Sequence, residues 1–295
     1  MMAPEKKEGG QVLRRLAIII ALPPQALAAQ PAPRAGEVYQ VVRISETRWT
    51  GANESQGHAY DRDAWIERVA AVREAGVELE FDLPPEVSAE DRAPVWQFPV
   101  RVLRPAQGPL QLLNRAELET RVTSWLAAAQ LPRAACGRWY FTWNAFQIAC
   151  DPDAVPIWLA TVDLAAADLR DGAPYAHPLA TAPGRLRQET STPDRAVFVA
   201  EMAVDPEAVR RGEAESQAVV AAIMGNSPQL RDARAARAIR QASGTIRVRF
   251  ESDGAAHLRR RTTVITLDIE KANGEREHRT ATETVERRPV TPPHT

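Results

Sequence analysis

Lysine is almost missing from this sequence. The 295 residues carry it only at Lys6, Lys7 and Lys271, and arginine supplies the rest of 37 basic side chains. Against 38 acids these leave a formal charge of −1 at pH 7. That balance removes the broad positive field with which proteins gather nucleic acid or anionic membranes, so no nucleic-acid partner is expected. Cysteine is nearly as scarce, with only Cys136 and Cys150, which excludes a disulfide-dense mini-protein and a cysteine-built zinc site. Histidine occurs five times, at His58, His177, His257, His278 and His294, and never as H-E-x-x-H or a close ligand pair. No metal site and no cofactor is expected from that pattern. G-x-S-x-G, P-loop and G-x-G-x-x-G motifs are also missing, which weakens the case for an enzyme. No stretch approaches the ~18 unbroken apolar residues of a membrane span. What is present, 44% hydrophobic and 25% charged residues, is the balance of a globular chain.

The front of the sequence reads as an export signal. Lys6, Lys7, Arg14 and Arg15 precede a short apolar run from Leu16 to Leu22, then Pro23-Pro24, then Ala26-Leu27-Ala28. A positive flank, a short apolar core and a small-x-small site together describe a Sec-type signal peptide, residues 1–28, cleaved near Ala28. The residues around Arg14-Arg15 do not extend to a twin-arginine motif, and no cysteine near Ala28 offers a lipid anchor. A periplasmic or secreted product is therefore expected. In an oxidising compartment Cys136 and Cys150 are expected to form one disulfide, closing a loop of about 15 residues.

Periodicity gives the organisation. Residues 38–48 are rich in β-branched side chains and read as a strand. In residues 65–82, Ile66, Val69 and Val72 fit helical spacing, whereas Val77, Leu79 and Phe81 alternate with Glu78, Glu80 and Asp82; a hairpin is the favoured reading. Residues 113–129 form the clearest helix, with Asn114 and Glu117 as a capping pair, Leu113 and Leu118 as a staple, and a stripe of Leu118, Val122, Trp125, Leu126 and Ala129. The cysteine-bounded run reads as a hairpin turning near residues 143–145. Asp151-Pro152 and Asp205-Pro206 read as helix starts. Residues 172–194, rich in Pro, Ala, Thr and Gly, read as a linker. Beyond it come a strand (197–204), two helices (206–224 and 228–241) and three strands joined at Asp253-Gly254 and Asn273-Gly274. The expected class is α+β, antiparallel sheets with a few packed amphipathic helices and one buried disulfide. The expected division is an N-terminal region (29–171), the linker, a C-terminal β-α-α-β-β-β region (195–288) and a tail (289–295).

Three patterns carry possible chemistry. Glu78, Glu80 and Asp82 fall on one face of a strand, either as paired acids of a glycoside hydrolase or as a solvated outer face. Arg231, Arg234, Arg237 and Arg240 step by three and so spiral around a helix instead of forming one stripe. Trp139, Phe141 and Trp143 alternate along a strand, which puts all three rings on one face as a ligand platform or as core. The expectation is a non-catalytic binding or interaction protein whose partner is an unidentified envelope component or protein, with Trp139, Phe141 and Trp143 as its patch. The alternatives are an envelope-polymer hydrolase using the paired carboxylates, and a carrier of an apolar ligand or lipid.

Overall fold

The computed structural model describes residues 32–52, 55–141, 145–165, 169–224 and 238–290; the expected signal peptide, Trp143, most of the second C-terminal helix and the end of the tail lie outside them. The elements in chain order begin with strands β1 (Val38–Gly51), β2 (Gln56–Arg73) and β3 (Gly76–Asp82), then a single turn of helix, α1 (Ala89–Arg92). There follow β4 (Val100–Pro105), β5 (Gln111–Leu112), α2 (Arg115–Ala128), the hairpin β6 (Trp139–Phe141) and β7 (Ala145–Gln147), and α3 (Ala154–Val162). The second half has β8 (Pro174–Tyr175), β9 (Gly184–Arg185), β10 (Arg187–Thr192), β11 (Arg195–Ala203), α4 (Pro206–Met224), β12 (Ile239–Asp253), β13 (Leu258–Lys271) and β14 (Arg276–Pro289).

Ten of these strands form one antiparallel sheet in the order β10-β11-β12-β13-β14-β1-β2-β3-β4-β5. Strand makes up 49% of the described residues and helix 21%. This corrects the α+β expectation: a single large antiparallel sheet dominates, and the helices cover parts of it without forming a packed layer of their own. The physical reason is a long-range pairing. β14 zips onto β1 from Tyr39↔Pro289 to Gly51↔Glu277, fusing an N-terminal meander to a C-terminal one. The segment read as a linker contains β8, β9 and β10, and β10 pairs with β11 at the edge of the main sheet.

Local chemistry explains the strand ends. Asn273 Oδ1 accepts from Glu275 N, and Gly274 supplies the positive φ of the turn between β13 and β14. Asp253 Oδ1 accepts from Ala255 N and His257 N between β12 and β13. Gly76 opens β3 at φ +140°, where a Cβ would meet Arg104 O at 2.2 Å. The favoured hairpin over residues 65–82 is present as β2 and β3, with Ile66 opposite Asp82. Residues 239–241, expected as the end of a helix, open β12 instead. The helix expected at 206–224 is α4, started by Asp205 Oδ1 accepting from Glu207 N.

The pairing register puts Tyr39, Val41, Trp65, Glu67, Val69, Leu79, Phe81, Val100 and Val102 on one face. That face is the core. Phe81, Phe198, Phe250, Leu79 and Ile246 are among its fully buried side chains, each contributing about 1.5–3 kcal/mol of burial. α2 closes over it with Leu118, Val122 and Leu126, and α3 with Val155, Leu159 and Val162. Asn114 does not cap its helix. Its Oδ1 accepts from Arg101 N and its Nδ2 donates to Glu117, so it ties α2 to β4. Leu113 is exposed, which leaves the expected staple unformed.

Two buried ion pairs cross this core. Arg287 donates to both oxygens of Glu67 at 2.8 and 3.1 Å and lies 3.3 Å over the Tyr39 ring. Arg104 grips Asp163 at 2.7 Å twice, tying β4 to the end of α3.

Candidate binding site

β3 does not run the length of β2. It stops opposite Ile66, where Asp82 turns its side chain back to accept from Leu83 N, and Pro84-Pro85 supply no N–H for further pairing. Arg92 fixes the departure by donating to Asp82 at 2.6 Å and to the carbonyls of Leu83 and Pro84 at 3.1 Å. β2 continues alone on that side. Its residues 56–65 pair with β1 on one edge, and among the described residues no hydrogen bond reaches the other edge.

A cavity of about 510 Å³ lies where the next strand would run. Its walls come from four separate stretches. β2 supplies Trp65, the chain before β4 supplies Val95, Trp96 and Phe98, α3 supplies Val155 and Trp158, and the turn after β3 supplies Leu83. Trp158 is half-buried and meets Trp65 edge-on at 4.8 Å between centroids and Phe98 at 6.1 Å. Trp96 is held by its indole N–H, which donates to Ala149 O at 3.0 Å just before Cys150. Arg121 of α2 holds the same stretch through Trp96 O and Pro99 O. At the mouth stand Arg62, Asp63 and Asp151, with Asp63 accepting from Arg43 at 2.6 Å. A volume of this size, aromatic walls and a few polar groups at the rim match ordinary small-molecule sites.

A second cavity of about 640 Å³ lies at the other side of the sheet face, lined by Arg73, Arg104, Arg287, Glu37, Glu74 and Asp163 among others. It is larger but chemically occupied with itself. Arg104 is taken by Asp163, Arg287 by Glu67 and Arg73 by Glu78. The aromatic cavity has the better claim, because the half-buried Trp158 presents apolar surface over a floor of buried rings and its polar groups stand only at the rim.

The residues singled out in the sequence are scattered. Cys136 and Cys150 are bonded, with Cα atoms 5.6 Å apart, and brace the β6–β7 hairpin beside Trp96. Trp139 is half-buried on β6; Trp143 and the side chain of Phe141 fall outside the described residues. The ring pair of this hairpin is on its other face, where Tyr140 stacks on an exposed Phe146 at 6.0 Å. Glu78, Glu80 and Asp82 do share one face, each beside its own arginine: Arg73 at 2.5 Å, Arg68 at 3.9 Å and Arg92 at 2.6 Å. Arg240 pairs with Glu270, whereas Arg231, Arg234 and Arg237 lie outside the described residues. His58 meets Glu46 and His278 meets Asp268, both at 2.9 Å. Among the described residues no three His, Cys, Asp or Glu side chains gather as a metal site.

Among the described residues, every carboxylate whose pKa is displaced is displaced downward. The Asn114 amide does this to Glu117 and Arg210 to Glu207. For Glu251, Asp253 and Glu277 burial pushes upward and is outweighed by arginine, lysine or backbone donors. Such acids are held ionised, the opposite of what a general acid needs. Sequence reasoning missed the aromatic cavity because its rings are brought together only by the fold. Trp65 on the hairpin and Trp96 beside Pro99 were the available signals.

No family model matches the sequence, and the curated proteins give no match. Among solved structures the chain is similar to lipovitellin, in a structure titled for its lipid–protein interactions, at 7% identity and a TM-score of 0.38 over 89% of this chain. It spans only 26% of that chain. It is also similar to Ail, the attachment invasion locus protein of Yersinia pestis, at 4% identity and a TM-score of 0.21, covering 86% of this chain and 99% of that one. Likeness at this level carries no functional argument. Among the described residues no helix is long and apolar enough to cross a membrane.

Proposed function

We propose that this chain is an exported, non-catalytic binding protein of the cell envelope, and that the aromatic cavity beside β2 is its binding site. The observation that carries the reading is the convergence of Trp65, Trp96, Phe98 and Trp158 around about 510 Å³ of open space. Trp65, Trp96 and Phe98 are buried and form the floor, and the half-buried Trp158 keeps the ring surface that a ligand can cover. Export rests on the signal-like residues 1–28 and on a disulfide of the kind formed in oxidising compartments.

The test is a titration with N-phenyl-1-naphthylamine, followed by its fluorescence and by quenching of tryptophan emission. Saturable binding is expected, weakened tenfold or more in Trp158→Ala and unchanged in Trp139→Ala, with both variants shown to be folded by circular dichroism. Binding that ignores Trp158, or none at all, rules the cavity out.

A further inference from the structure

The cavity and the bare edge of β2 are one feature, since Arg62, Asp63, Ala64 and Trp65 both line the first and form the second. We propose that the natural occupant is an extended peptide segment of a partner protein. It adds to β2 as an antiparallel strand and lowers one apolar side chain into the aromatic cavity. This rests on the cavity being a binding site and names its class of ligand.

Three observations favour a peptide. Among the described residues, a row of backbone N–H and C=O groups along residues 56–65 has no partner on one side, and an extended chain is the ligand that matches such a row group for group. The end of β3 leaves this place empty by construction, because Arg92 and Pro84-Pro85 turn the chain away. The charge pattern then selects among peptides. Asp61, Asp63 and Trp65 share a face at successive steps of two residues, and Asp151 stands at the cavity mouth. Asp61 is exposed and reaches Arg43 only at 3.7 Å, while Asp63 takes that guanidinium at 2.6 Å. Arg43 is therefore the guanidinium that faces Asp61 and Asp63, and Arg62 alternates to the opposite face of β2. A strand running antiparallel to β2 with an apolar residue opposite Trp65 places its next two same-face residues opposite Asp63 and Asp61. Basic side chains belong at those positions. A lipid would use the rings but leave the open backbone row and the acidic steps unmatched.

The experiment uses the peptide Phe-Thr-Lys-Thr-Lys-Thr-NH2, which starts at the apolar residue because Asp82 already stands opposite Ile66, its Glu-for-Lys counterpart, and two analogues N-methylated at the odd or the even residues. The Lys peptide is expected to displace N-phenyl-1-naphthylamine and to slow amide exchange within residues 56–65. One N-methylated series, the one whose amides face β2, should lose at least tenfold in affinity while the other changes little. The Glu peptide should bind at least tenfold more weakly, and Asp61→Asn should narrow that preference. If the naphthylamine binds but the peptide does not displace it, or both N-methylated series bind as well as the parent, the strand-addition proposal is overturned and the cavity survives as a site for free apolar molecules. If neither probe binds, both readings fall.

Discussion

The two ends of the central strands are built differently although the chain is continuous. At one end β1 buries Tyr39, Val41 and Val42, and β2 buries Trp65, Glu67 and Val69. At the other, Arg48, Trp49 and Thr50 of β1 and residues 58–62 of β2 are exposed. The covered end is stabilised by burial beneath α2 and α3. The open end relies on cross-strand pairs: Thr262 against Thr284, Glu46 with His58, Asp268 with His278, and the Trp49 indole lying where a side chain at Gly57 would go. Such pairs contribute about 0.2–1 kcal/mol each. The exposed reach of β1 and β2 therefore depends on strand pairing more than on burial, and the boundary between the two regimes is where β3 leaves β2. The aromatic cavity sits on that boundary.

Substitutions should separate the two ends sharply. The largest losses belong to the covered end. Phe81→Ala should cost about 3–5 kcal/mol through lost burial and a cavity. Glu67→Gln should cost a comparable ~3–5 kcal/mol by stranding the Arg287 charge in the core. Both are read from urea unfolding, and a loss below about 1 kcal/mol in either would break the contrast. Next in size is the disulfide that braces the cavity wall. Cys136→Ser should cost about 3 kcal/mol in oxidising buffer and nothing beyond wild type in reductant.

A smaller, pH-dependent effect comes from His177, half-buried in the segment between β8 and β9. Burial, and then the charge of Arg261, hold its imidazole below the ordinary value against the opposite pull of Glu283. The unfolded chain takes up this proton first. Stability at this site is thus complete above about pH 6.5 and falls as the pH drops from there toward the folded pKa. His177→Gln should flatten the stability profile between pH 7 and 5, and an unchanged slope would contradict that assignment. Thr282→Ala, at the open end, should be the mildest change, under about 1 kcal/mol.

Much of this was legible locally. The alternation of Val77, Leu79 and Phe81 announced β3, the Asp253-Gly254 and Asn273-Gly274 pairs announced the C-terminal hairpins, and Asp205-Pro206 announced α4. The two cysteines announced their own hairpin. What local pattern does not carry is the pairing of β1 with β14, which joins opposite ends of the chain and turns two expected regions into one sheet. The open reach of β2 was also hidden, because Gln56 to Asp63 is polar and carries Gly57, the composition of a loop. The same limit hid the cavity: Trp65, Trp96, Phe98 and Trp158 become neighbours only after the sheet has formed.

Amide hydrogen exchange along β2 in the free protein tests the central claim most directly. Residues 66–69 should be protected throughout, while every second amide between 57 and 64, the set pointing away from β1, should exchange orders of magnitude faster. Unbroken protection from residue 57 to residue 69 would mean that the edge is already covered, and the binding site described here would not exist.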